Sequence, residues 1–145
     1  MDAPDVAQFK EVVGHFATGV TVITSMGADG PLGFACQSFS SLSLEPLLVG
    51  FAAQKNSVTW PKIRERGEIA INILDEGSNS LARRFGSSIP DKFAGVPVEI
   101  ATNGAPLLVG ALATLTGRIQ NIYEAGDHEY VVVSVASVAS NHGSP

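Results

Sequence analysis

Residues 33–51 read GFACQSFSSLSLEPLLVGF. Two apolar runs flank a segment that carries hydroxyls at Ser38, Ser40, Ser41 and Ser43. Taken alone, a serine cluster is more often a turn whose hydroxyls cap one another. Here the flanks have the composition of buried strands, so the serines are expected to lie within a strand of the core. A buried hydroxyl left without a partner costs about 1–3 kcal/mol. The stretch therefore calls for a bound ligand rich in hydrogen-bonding atoms, with the rest of the chain forming a barrel around it.

Upstream, residues 20–26, VTVITSM, are rich in β-branched side chains and read as a strand. Ala28-Asp29-Gly30-Pro31 is turn chemistry, which predicts a hairpin into a strand over 32–39. Residues 4–18 read as an amphipathic helix with Val6, Phe9, Val12, Val13 and Phe16 on one stripe and Gly19 at its end. Downstream, Pro46 opens a strand through LLVGFAA. A short helix follows, with Ser57 as N-cap, Pro61 in its first turn and Gly67 closing it. Residues 68–74, EIAINIL, form the next strand, and Ser78 caps a helix through SLARRF that ends at Gly86. Residues 87–106 read as loop, and two long strands follow at about 110–121 and 129–139. Residues 141–145 read as a flexible tail. The expectation is one domain over 1–145, mainly β with short helices, closed as an antiparallel barrel with helical crossovers.

Composition narrows the function. The 145 residues suffice for one domain with a real core. Hydrophobic residues make up 45% and charged residues 16%, which leaves little polar surface for a monomer and predicts a homo-oligomer. The net charge is −5 and the nine basic residues are scattered, which argues against a nucleic-acid partner. Cys36 is the only cysteine; alone it makes neither an internal disulfide nor a zinc site, which suits a reducing cytoplasm. No secretion signal and no apolar run of about 18–20 residues is visible, so no membrane association is expected.

Four pieces carry possible chemistry. The first is the serine segment. The second is Lys55-Asn56-Ser57-Val58-Thr59, where a helix start offers N–H groups and hydroxyls to an anion; by itself Ser57 is more simply a cap. The third is Arg83-Arg84 with Asp91-Lys92-Phe93. Successive helical side chains diverge by about 100°, so one arginine is expected to face inward and the other to be solvated. The fourth is Gly126-Asp127-His128, either plain turn residues or a histidine at a pocket rim that meets a second substrate. His15 and His142 have no supporting context, and Cys36 reads as an inert packing residue. Hydrolase, metalloprotease, redox dithiol and nucleotide-loop motifs are missing. An anion site beside a hydroxyl-lined strand, with no acid–base apparatus, points to an organic cofactor that carries its own chemistry.

In this order the pieces resemble the short-chain flavin reductase family, the reductase components of two-component flavin-dependent monooxygenases. The carriers are FATGVTVIT at 16–24, GFACQSFSSLSLEP at 33–46, NSVTWPKIRERGEIAINIL at 56–74, LARRFG at 81–86 with DKFAGV at 91–96, and GDH at 126–128. Each is weak alone; five in order are specific. The resemblance implies an FMN-binding split β-barrel, a homodimer, and reduction of FMN or FAD by NADH or NADPH for a partner monooxygenase. It implies that Ala35, Cys36, Gln37, Ser38 and Phe39 line the flavin ring. Ser40 and Ser41 would continue toward the ribityl chain, and Asn56, Ser57 and Thr59 would hold the phosphate. Arg83, or its neighbour Arg84, or Lys92 would neutralise that phosphate, and Gly126, Asp127 and His128 would meet the nicotinamide.

The chain departs from the family pattern at Ala35, where many members have threonine, at Gln37, where many have asparagine, and at Glu45-Pro46-Leu47, where many have Asp-Pro-Pro. Weakened or shifted flavin contacts are expected at the first two. Many members also continue past this point with a tyrosine- and arginine-containing segment over the nicotinamide, whereas these residues end at Pro145. A non-enzymatic FMN-binding split barrel that stores flavin or relays electrons is the alternative reading, and an interaction module without ligand a third.

Overall fold

The computed structural model describes residues 5–13, 15 and 19–140, with Glu76 described by its backbone only. In chain order the elements are α1 (Val6–Val13), β1 (Thr21–Gly27), β2 (Gly30–Cys36), β3 (Ser40–Leu44), β4 (Leu47–Gln54), α2 (Trp60–Arg66), β5 (Glu68–Ile73), α3 (Asn79–Phe85), β6 (Val98–Ile100), β7 (Pro106–Leu108), β8 (Ala113–Ala125) and β9 (His128–Ser140). Among the described residues no helix is long and apolar enough to cross a membrane. The expected tail at 141–145, and Phe16 of the expected first-helix stripe, lie outside the described residues.

Seven strands form one antiparallel sheet in the order β2-β1-β5-β8-β9-β4-β3. Its two edge strands, β2 and β3, are consecutive in the chain. Residues 37–39 therefore join the two edges and roll the sheet into a barrel with a seam. The β3–β4 register places Ser40 opposite Gly50, and two residues back the same register would set Ser38 opposite Ala52. There the backbone has left the ladder and the serine side chain takes over. Ser38 Oγ accepts from the Ala52 N–H at 2.7 Å and donates to the Ala52 carbonyl at 3.3 Å.

The strands bury both faces. One face of β1 and β5 sends Ile23, Ile69 and Ile71 into the barrel, where they meet Phe51, Ala53, Val131 and Val133. α2 plugs this interior with Trp60 and Ile63, at 1% and 0% exposure. Burying an aliphatic side chain such as Ile63 stabilises by about 1.5–3 kcal/mol. Gly67 ends α2 with φ +79, a left-handed value that suits glycine.

On the outer face, Val22, Leu74, Phe85, Leu108 and Ala111 form a second apolar cluster. Fully buried Asn72 ties this layer down: Nδ2 donates to the Val22 carbonyl at 2.9 Å, and Oδ1 accepts from the Leu108 N–H at 2.9 Å.

Three expectations change. The serines are not core residues: in β3, Ser40, Ser41, Leu42 and Leu44 are exposed, because this strand is an edge of the sheet. Solvent thus reaches the hydroxyls, and none of them needs a ligand as its hydrogen-bond partner. The α1 stripe also faces outward, with Val6, Phe9, Val12 and Val13 all exposed. Within the expected loop 87–106 a short hairpin forms between β6 and β7. Asn103 anchors its turn, donating to the Ile69 carbonyl at 3.0 Å and accepting from the Ala105 N–H at 3.1 Å.

Candidate functional site

Three of the four sequence-derived candidates meet at the seam: the 35–41 segment, the 54–59 turn and the 126–128 tip. β2 ends at Cys36 and β3 begins at Ser40, so Gln37, Ser38 and Phe39 belong to no ladder. The Gln37 and Phe39 N–H groups make no hydrogen bond among the described residues. Cys36 is buried, with Sγ 3.1 Å from Ser38 Oγ and 3.8 Å from the Ala52 carbonyl oxygen. It packs the seam, and its backbone and that of Ala35 belong to the edge strand β2. Ser40 Oγ donates to the Ser41 carbonyl at 3.2 Å.

β4 leads from the seam straight into the second candidate segment. Trp60 meets Phe34 and Phe51 at ring-centroid separations of 6.3 and 6.0 Å, which fixes the start of α2 against β2. Ser57 is not the N-cap as expected: Thr59 holds that position without a side-chain cap bond, and Ser57, two residues earlier, accepts from the Trp60 N–H through Oγ at 3.0 Å. Asn56 is exposed and free of hydrogen bonds among the described residues, and Thr59 is half-buried.

The β8–β9 hairpin brings its tip to the same rim. His128 pairs with Gln54 across the ladder, and the Lys55 N–H donates to the Asp127 carbonyl at 3.0 Å. Gly126 has φ +67, as the first position of a two-residue II′-type turn requires. Asp127 Oδ1 lies 2.7 Å from His128 Nδ1, which makes Nδ1 the donor and leaves Nε2 for other partners. That hydrogen bond, with the histidine's charge, holds the Asp127 carboxyl below its ordinary value.

The third group approaches from α3. A Cβ at Gly33 would stand 3.1 Å from both the Phe85 and Phe93 rings, so glycine lets α3 and the 91–96 turn close on β2. Of the two arginines, Arg84 is the engaged one. It donates to the carbonyls of Lys92 at 2.5 Å and Ala94 at 2.6 Å and so shapes the turn. Arg83 is exposed and makes no hydrogen bond or ion pair among the described residues, which leaves its guanidinium free for a ligand. Lys92 is half-buried with Nζ 3.2 Å from the Phe85 carbonyl, and burial lowers its pKa. The alternative Asp91–Lys92 pair does not form.

A family model described as the flavin reductase like domain matches residues 13–145. The chain belongs to the flavin reductase family. It is 42% identical over 135 residues to the reductase subunit HsaB of a flavin-dependent monooxygenase from Mycobacterium tuberculosis, covering 93% of this chain and 72% of that protein. A nitrilotriacetate monooxygenase component B homologue from Mycobacterium thermoresistibile superposes with a TM-score of 0.90 at 40% identity, over 92% of this chain and 75% of the other. An NADH:FAD oxidoreductase from Streptomyces globisporus, solved in complex with NAD and FAD fragments, matches with a TM-score of 0.89 at 35% identity, over 97% of this chain and 85% of the other. The fold is the split barrel of these flavin reductases.

The donor set of this flavin reductase fits a flavin. Unengaged N–H groups at Gln37 and Phe39 suit ring acceptors, and the hydroxyls of Ser40 and Ser41 suit a polyol. Asn56, Thr59 and the free Arg83 suit a phosphate. The site is an open face, since Gln37, Ser38, Ser40, Ser41, Asn56 and Asp127 are all exposed.

Sequence reasoning missed the polar cluster behind the rim, where Glu129 meets Trp60 and Arg64 and Lys55 pairs with Glu124. Partners about 65–69 positions apart leave no local signal; only the i, i+4 spacing of Trp60 and Arg64 hinted at a shared helix face.

Proposed function

We propose that this chain is an NAD(P)H-dependent flavin reductase that delivers reduced FMN or FAD to a partner monooxygenase. The observation that carries the reading is the meeting, at one barrel seam, of the 35–41 strand break, the 54–59 turn and the 126–128 hairpin tip. Bound flavin supplies the electron acceptor that takes the hydride from the nicotinamide. The protein's part is to bind and orient. Ala35, Cys36, Gln37, Ser38 and Phe39 present their backbone to the ring, and Ser40 and Ser41 take the polyol. Asn56, Ser57 and Thr59 hold the phosphate, with Arg83 and Lys92 supplying charge. His128, its Nδ1 tied to Asp127, presents Nε2 to the nicotinamide beside Gly126. No general base is required for hydride transfer, in keeping with the lack of one in these motifs.

The working form is a homodimer in the cytoplasm. Leu42, Leu44 and Leu47, exposed at 45%, 84% and 52%, flank the open site and favour a second copy as its cover, as does the outward α1 stripe. The test is to mix purified protein with FMN or FAD and follow NADH and NADPH absorbance. Turnover with excess flavin is the expected result. A tightly yellow protein without turnover would replace this reading with that of a flavin-storage or electron-relay protein, and no flavin binding would sink both.

A further inference from the structure

One polar cluster at the rim belongs to none of the ligand contacts proposed above. The Glu129 carboxylate has a side-chain exposure of 13%. It accepts from Trp60 Nε1 at 2.8 Å, and Arg64 Nη1 reaches its two oxygens at 2.9 and 2.7 Å. Trp60 and Arg64 lie one helical turn apart on α2. Glu129 lies on β9 next to His128, and successive side chains of a strand point to opposite faces. Glu129 shares its parity with Val131 and Val133, which face the barrel interior. His128 therefore faces the other side, toward the open site.

The two elements that this cluster joins are not equally well anchored. α2 is held by Trp60 and Ile63 in the core, whatever Glu129 does. The hairpin tip has no such support: residues 123–127 are all exposed. Besides the ladder, the tip is tied to the rest by the Lys55 N–H bond to Asp127, the Lys55–Glu124 pair and the Glu129 clamp. Of these side-chain ties, only Glu129's has a sheltered part, the bond between its carboxylate and the buried Trp60 indole, whereas Arg64 is half exposed; the indole bond retains strength that an exposed pair loses to screening.

We propose that Glu129 is a positioning residue that clamps the β8–β9 hairpin to α2 and so sets where His128 stands in the nicotinamide site. The proposal rests on the flavin reductase reading. Glu129 touches neither ligand and acts through the backbone it shares with His128. Its loss releases the hairpin and leaves α2, with its phosphate-binding segment, in place.

The test uses the full chain with Glu129→Ala, Glu129→Gln and Arg64→Met, measured against wild type with excess flavin and varied NADH or NADPH. In Glu129→Ala the NAD(P)H KM is expected to rise about five- to tenfold, as a sub-ångström misplacement of a contact residue gives, while kcat and the flavin KM stay within about twofold. Glu129→Gln keeps an acceptor for the Trp60 indole and loses the charge that Arg64 meets, so its KM falls between. Trp60 is the only tryptophan, so its emission should shift in Glu129→Ala and far less in Glu129→Gln. Hydrogen exchange across 123–130 is read in parallel and should speed up in Glu129→Ala and Arg64→Met. Unchanged protection there, or equal rises in both KM values with a fallen kcat, overturns the clamp. Wild type that never oxidises NAD(P)H with flavin overturns the functional reading instead, and the exchange data still decide the clamp.

Discussion

Ser38→Ala probes how the barrel is closed. The substitution removes two hydrogen bonds, one accepted from the Ala52 N–H at 2.7 Å and one donated to the Ala52 carbonyl at 3.3 Å. Each contributes about 0.5–1.5 kcal/mol net. Ser38 is exposed, so water can reach Ala52 once the hydroxyl is gone and the full desolvation penalty does not apply. The longer bond counts at the low end of that range, and the expected loss is about 1–2 kcal/mol. For a chain of this length that lowers the melting temperature by about 2–8 °C. Thermal and urea unfolding of the flavin-free protein measure it. Ser41→Ala is the control: its hydroxyl makes no hydrogen bond among the described residues, and its change should stay within about 0.5 kcal/mol. The flavin dissociation constant of Ser38→Ala should rise as well, since Gln37 and Phe39 flank the loosened residue. If Ser38→Ala melts with wild type, the seam is not held by this side chain and the account of closure is wrong.

Asn72→Leu should cost about 2–5 kcal/mol, because the buried Leu108 N–H and Val22 carbonyl lose their partner; a urea midpoint within error of wild type would contradict the buried network. Ser57→Asp should raise the flavin dissociation constant by setting a carboxylate against the phosphate, and unchanged affinity by titration would remove Ser57 from the phosphate site. The Glu129 carboxyl is held below its ordinary value of 4.5 chiefly by the Trp60 indole N–H, with Arg64 adding and desolvation opposing. The folded protein therefore takes up that proton less readily than the unfolded chain. The clamp's stabilisation is complete above the ordinary value and is lost as pH falls through the lowered one. Acid melts should show a smaller loss of stability for Glu129→Gln than for wild type in that window, and parallel curves would show that Glu129 is not the titrating group.

Most of the local structure was legible because local chemistry decides it. Gly67 past the end of α2, Ser57 before its start, the Asp29-Gly30 turn and the β-branched run at 20–26 all act over a few residues, and each element formed about where those signals put it. The family is likewise legible in the motifs alone. Other features needed the third dimension. Arg83 and Arg84 are adjacent and chemically identical, and only the 91–96 turn, which presents its carbonyls to Arg84, decides which one remains free. The serines of residues 38–43 looked like core because both flanks are apolar. Whether a strand lies in the middle of a sheet or at its edge depends on which partners it meets, and β3 has a neighbour on one side only.

By itself, then, the sequence determined the mainly β class, the element order and the segments that carry the chemistry, because propensity, caps and turns act through near neighbours. Only the tertiary structure decided that β2 and β3 are the two edges of one sheet and that Ser38 ties the segment between them to β4. It alone set Glu129 against Trp60 and Arg64, 69 and 65 positions away. Those contacts arise when distant segments are brought together by burial of their apolar faces, and no local pattern encodes which side chains then meet.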